Sequence, residues 1–192
     1  MIEPGTNVLV SPLQLRTVVW ASRLLVGVVV AHGVFAAAVF TRLPQRIPVH
    51  FGVNGAPDAF ASPGLSSWFL MVIVSAVLAL AIGLVSLSLF RIPPKWLNLP
   101  RKAAFLALPE ADRRAVLGSV AAFTMLLGAT VCLGLFAIHV VVALAALGVI
   151  EAFPIAAPFV IVGAVFVELI IMFIRVSAAV ETATARRVQN RR

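Results

Sequence analysis

His50 and Asp58 are the chemically capable members of the segment L-P-Q-R-I-P-V-H-F-G-V-N-G-A-P-D-A-F, Leu43 to Phe60. An imidazole and a carboxylate facing each other across a turn could hold a metal, pass a proton or bind a polar ligand. A zinc site needs more ligands than two, and no further His or Cys stands at metal spacing, so no metal is expected. The same two residues have a structural use: His50 could bond the turn backbone and Asp58 could act as a local cap. His139 and Glu151 are expected toward the same face if a third group is needed.

Ionisable residues inside apolar runs are costly and are functional candidates by default. Here they are Arg23, His32 and Glu168. At ~1.5 Å per residue, Arg23 lies about 25 Å and His32 about 12 Å below the outer end of the first span, and Glu168 about 20 Å below that of the fourth. Arg23 and Glu168 thus share a depth, which predicts an interhelical ion pair, whereas His32 is too shallow to join either. The alternatives are an Arg23 that snorkels to the headgroups beside a paired or protonated Glu168, and a proton or ion relay through His32, Arg23 and Glu168. Cys132 sits in an apolar run and reads as a packed thiol. No nucleophile–base pair, H-E-x-x-H or paired-Asp motif is present, so no catalytic residue, cofactor or enzyme activity is expected.

The elements that must position these groups follow from composition. The chain of 192 residues is 62% hydrophobic and 11% charged, with a mean hydropathy of +1.11. A soluble fold lacks the polar surface to cover such a chain, so the bilayer is its solvent. Four runs are long enough to cross: about 17–40, 67–90, 115–147 and 155–174. The third is long for one crossing, which predicts a tilted helix or a helix with an interfacial turn before Pro154. Ser75, Ala79 and Gly83 recur every four residues and predict a close-packing face, with Gly27, Gly128, Gly134 and Gly163 able to serve similarly. No secretory signal precedes the first run, which reads as a retained span.

The net charge of +8 does not point to nucleic acid, because Lys and Arg flank apolar runs and form no aromatic-interleaved surface. They cluster in 91–114 and in the tail 175–192, whereas 41–66 carries only Arg42 and Arg46. The positive-inside rule then places both termini and 91–114 in the cytoplasm and 41–66 outside. The fold expected is a single all-α membrane domain over 1–192: four transmembrane helices, both termini inside, and a structured Pro/Gly-rich outward loop after the first. In that loop Pro44 and Pro48 end the helix and hold 47–51 extended. Asn54-Gly55 predicts one tight turn and Pro57-Asp58 a second, with Phe51, Phe60 and Trp68 as interfacial anchors. The middle loop, with Pro93-Pro94 and Trp96, is expected along the inner membrane surface or as a docking site.

The pattern L-P-x-x-I-P-x-H-F-x-x-x-G-x-P-D-x-F resembles the signature of a bacterial membrane domain of unknown function. That domain forms the N-terminal part of the immunity protein of a sporulation-delay toxin system. The residues that carry the resemblance are Pro44, Ile47, Pro48, His50, Phe51, Gly55, Pro57 and Asp58, supported by Asn98-Leu99-Pro100, Phe105-Leu106 and Arg113. The similarity covers roughly 24–125; relatives usually carry a polar or basic residue where Pro63 follows Ser62, and immunity-type members have further spans. The resemblance implies a multi-pass protein of the bacterial cytoplasmic membrane in which Pro44, Pro48, His50, Phe51, Gly55, Pro57 and Asp58 form an outward binding motif. Its partners would be the lipid bilayer and a membrane protein or peptide toxin, with a homo-oligomer allowed and nucleic acid excluded. The function expected is a binding, immunity or accessory subunit; the alternative is a small proton- or ion-coupled transporter or channel.

Overall fold

Apolar runs unbroken by proline become helices because a chain in hydrocarbon must satisfy every backbone group within the segment. The computed structural model describes residues 12–189, and four of its helices are long and apolar enough to cross a membrane. These are α1 (Pro12–Phe40), α2 (Leu70–Ser88), α4 (Glu110–Ala146) and α5 (Ala156–Gln189); the short α3 (Lys102–Ala107) lies between α2 and α4. The chain is a multi-pass membrane protein. A two-stranded antiparallel hairpin, β1 (Ile47–Phe51) and β2 (Pro57–Ala61), connects α1 to α2.

The centre of the bundle is α4, against which α1, α2 and α5 all pack. Its buried positions run its whole length, from Val116 to Ala143. Two of its glycines admit neighbouring side chains where a methyl group would collide. A Cβ on Gly128 would lie 2.9 Å from Ile82 of α2, and one on Gly134 would lie 2.5 Å from Ile161 of α5. Gly27 and Gly163, by contrast, face open space. On α2 the predicted small-residue face is used in part. Ser75 is fully buried and Ala79 packs with Leu25 and Ala129, but Gly83 meets nothing.

With 37 residues α4 is about 55 Å long, and α5 with 34 is about 51 Å. Both exceed a hydrocarbon core of ~30 Å, and the excess is used at one end. The helix expected to stop near Ile174 continues to Gln189 because the middle loop packs on it. Phe105 and Leu108 meet Val116, Leu117, Val176 and Val180 in one buried cluster. Arg101, held at φ 56° before α3, pairs with Glu181, and Arg187 donates to the Ala107 carbonyl. The middle loop is thus a folded cap on α4 and α5. Positions 190–192 of the expected basic tail lie outside the described residues.

The other end carries the hairpin and the turn between α4 and α5, joined by a bond from Phe153 N–H to the Gly55 carbonyl at 2.7 Å. Gly128→Ala should destabilise the protein by about 1–3 kcal/mol through overpacking against Ile82. Thermal unfolding in detergent should recover in Gly128→Ala/Ile82→Ala, while Gly27→Ala and Gly163→Ala remain near wild type.

Candidate functional site

A lone two-stranded hairpin is marginal in stability, so this one must be held by what lies beneath it. Ile47 is its anchor: fully buried, it packs among Ala36, Trp68, Val142 and Ala143. At the tip, Gly55 N–H bonds the Gly52 carbonyl at 2.8 Å, Gly52 N–H bonds the Ala56 carbonyl at 2.8 Å, and Asn54 Oδ1 accepts from Ala56 N–H at 3.1 Å. Gly55 sits at φ 80°, as in a three-residue hairpin loop closed by a left-handed residue. The turn expected at Pro57-Asp58 is not formed. Pro57 instead opens β2 opposite Phe51, a first-strand position where its fixed φ fits and no N–H is demanded. Phe51 also meets the Phe153 ring at 5.2 Å.

On this frame His50 Nδ1 lies 2.5 Å from Asp58 Oδ1, and both side chains are more than half exposed. The two sequence candidates therefore bond each other and not the turn backbone. Asp58 can fix the orientation and tautomer of the imidazole, leaving Nε2 for a ligand or a proton. Pro48, Phe51 and Gly55 shape the strand and turn around the pair, and Pro44 stands where the chain leaves α1. Among the described residues, no group of three or more His, Cys, Asp or Glu is placed to hold a metal ion.

Beneath the hairpin lies a second constellation. His32 of α1 bonds Ser75 Oγ of α2 through Nδ1 at 3.1 Å and His139 Nδ1 of α4 through Nε2 at 2.8 Å. All three residues are buried. His32 stacks on Phe136 at 5.0 Å, and His139 meets the Trp68 ring at 4.1 Å and 62°. Trp68 itself is 1% exposed and donates its indole N–H to the Ala36 carbonyl at 2.9 Å. It is thus a core clamp and not the interfacial anchor its position suggested. In the arrangement that leaves the fewest polar groups unpaired among the described residues, the Ser75 hydroxyl donates to His32 Nδ1. For two neutral imidazoles His32 Nε2–H must then donate to His139 Nδ1, leaving the proton of His139 on Nε2. That nitrogen is buried with no hydrogen-bond partner among the described residues.

The expected Arg23–Glu168 ion pair does not form. Arg23 is exposed and lies over the Trp20 ring at 5.5 Å. Glu168 lines a small cleft with Leu24, Leu126, Ala129 and Leu133. The buried positions of α1 are Ala21, Leu25, His32 and Ala36, one face at helical spacing. Arg23 stands two residues from Ala21, which turns it about 200° away from that face. His139, expected toward the outward loop, faces His32 instead, and Glu151 is exposed.

Residue counting carried a signal for the buried string that went unread. His32 stands eight residues before the end of α1, His139 seven before the end of α4, and Ser75 five after the start of α2. All three therefore sit at one depth, about 8–12 Å below the hairpin. Phe153 gave no such signal, since one of its two ties is a backbone bond that any residue but proline could make and the other a ring contact across about 100 residues of chain.

Two outcomes test this geometry. Gly55→Ala combines a left-handed φ with a Cβ that would strike the Phe153 carbonyl; it should cost about 1–3 kcal/mol and expose the 52–56 and 148–155 segments to protease. A double-mutant cycle of His32→Ala and His139→Ala, read by unfolding in mixed detergent, should return a coupling of about 0.6–1.7 kcal/mol, the range for hydrogen bonds between membrane helices.

Residues 27–76 match the family model of a domain of unknown function (DUF1648). The matched stretch holds His32, His50, Asp58, Trp68 and Ser75, and ends before His139. No curated protein and no solved structure matches the chain.

Proposed function

We propose that the protein is a binding or accessory subunit and not an enzyme, with the hairpin as its working surface on the outer face of a bacterial cytoplasmic membrane. The observation that carries this reading is a braced hairpin that displays apolar side chains. Val53 at its tip is 99% exposed, and Leu65, in the segment that leads from β2 to α2, is 74% exposed. Phe60 and Val49 are also exposed, on either side of the His50–Asp58 pair. Three ties, at Ile47, at the Phe153–Gly55 bond and at the Phe51–Phe153 contact, hold this surface in one shape. An exposed apolar patch with polar groups set in it is the usual form of an interaction site.

Charge supports the orientation. The end opposite the hairpin carries Arg91, Lys95, Arg101, Lys102, Arg113, Arg114, Arg175, Arg186 and Arg187, against Arg42 and Arg46 near the hairpin. Chemistry supports binding over catalysis. The hydroxyl nearest in sequence with a defined role, Ser67, donates to the Ser62 carbonyl at 2.6 Å and not to His50. Binding is also favoured over a proton- or ion-coupled transporter. The histidine string runs across the bundle through three buried residues. Among the described residues its one continuation toward the basic end is the Cys132 thiol, a weak donor to the Ser75 carbonyl at 3.5 Å, and the buried Ser86 beyond is bonded to its own helix.

The immunity-like form of this reading makes the partner a membrane-active peptide, as the resemblance implies. Cells expressing the protein should survive such peptides, including one encoded beside it, better than cells lacking it. Val53→Asp/Phe60→Ser should reach the membrane at wild-type level and lose the protection. Equal survival with and without the protein would sink the immunity form. Orientation is tested separately: Val53→Cys should react with a membrane-impermeant maleimide on intact cells and Lys95→Cys only after lysis, Cys132 being buried.

A further inference from the structure

Below β1, at the hairpin end of the bundle, lies a groove of about 540 Å³. Its floor is Ile138 and Val142 of α4, and its walls are Met71 of α2 and Phe159 of α5. Phe51 roofs it, and His50 with Ser66 and Ser67 stands at the rim. Both α2 and α5 pack chiefly on α4, so the groove lies between two membrane spans on the side facing away from α4. The groove therefore opens into the hydrocarbon and not only toward water.

That placement limits the occupant. The deep lining is apolar, and no charged group enters it below His50. A peptide backbone lodged there would leave amides unpaired against side chains that neither donate nor accept, at several kcal/mol each in such surroundings. An acyl chain has no such need. Ile138 stands eight residues before the end of α4, so the groove reaches about 12 Å down, most of one leaflet's hydrocarbon depth. The polar rim then lies at the level where a glycerol ester and phosphate would sit. Its volume also falls within the ~300–1,000 Å³ typical of small-molecule sites.

We infer that the groove is a lateral lipid site: it takes one acyl chain of a phospholipid from the leaflet on the hairpin side, with the headgroup at the rim formed by His50, Ser66 and Ser67. The site shares Val49 and His50 with the surface proposed to meet a partner, but not Val53, Phe60 or Leu65. Lipid occupancy would also complete the apolar support beneath β1, since Phe51 forms both roof and hairpin.

The full chain, purified in mild detergent, equilibrated with phosphatidylglycerol and washed, tests this by native mass spectrometry. One phospholipid should be retained per chain. Met71→Trp, which fills the groove, should lose the retained mass, and Phe166→Trp, on the lipid-facing side of α5, should keep it. Leu70→Trp, at a half-exposed position lining the same groove, serves as a second groove-filling variant should Met71→Trp unfold. Retention that is unchanged in a folded groove variant would overturn the inference, as would wild-type protein retaining no lipid. A polypeptide mass in place of the lipid would also overturn it. Equal survival of cells with and without the wild-type protein, with lipid retention intact, would count against the partner reading alone.

Discussion

The hydrogen bond between His32 and His139 is the constraint on which the hairpin end of the molecule depends. It lies among apolar side chains in a membrane span, where no water competes for either nitrogen. It joins α1 to α4, and the Ser75 hydroxyl adds α2, so that three helices are held at one depth and in one rotational setting. Generic apolar contact would not do this, because lipid tails are as apolar as the helices and favour no particular rotation. Trp68 then packs against His139 and donates to Ala36, which fixes where the chain from the hairpin re-enters the bundle. Ile47 closes over the same cluster. The hairpin is thus anchored, through Trp68 and Ala36, to the polar string beneath it.

The opposite end is built on a different principle. Its core is apolar, with Phe105 and Val180 fully buried, and its polar contacts are peripheral. The Arg101–Glu181 pair is half exposed and contributes little by itself. Burial of Val176 and Val180 is what keeps α5 helical past the membrane. Between the two ends the bundle relies on shape: Ile82 set against Gly128 and Ile161 against Gly134.

Much of this architecture was legible in the chain because bilayer thickness leaves few options for an apolar run of twenty residues. Each of the four expected spans coincides with one observed helix, although 67–90 overruns α2 at both ends and 115–147 and 155–174 each overrun theirs by a residue. The extension of α5 to Gln189 was not legible, since its charged residues end the hydropathy signal while its support comes from a loop eighty residues earlier. Arg23 and Glu168 illustrate a second limit. Rise along the axis gives depth, but an ion pair also needs the two side chains on facing sides, and Arg23 turns away from α4. Applied to His32, Ser75 and His139, the same depth rule would have been right, because all three also lie on buried faces. Pro57 shows the third limit. Its type permits either a turn or the start of a strand, and the left-handed Gly55 two positions earlier had already made the turn.

The two histidine arrangements differ in a way that assigns them different work. His32 and His139 bond each other and Ser75, only His139 Nε2 is left without a partner among the described residues, and both rings are sealed from water and lipid. Groups with no access can hold shape but can exchange nothing with the outside. His50 has one nitrogen tied to Asp58 and the rest of its ring exposed at a rim shared with an open groove. Orientation of an accessible imidazole by a carboxylate is useful only where something is to be met there. The buried string therefore accounts for rigidity, and the exposed pair, standing on that rigidity, is the part that the proposed binding role would use.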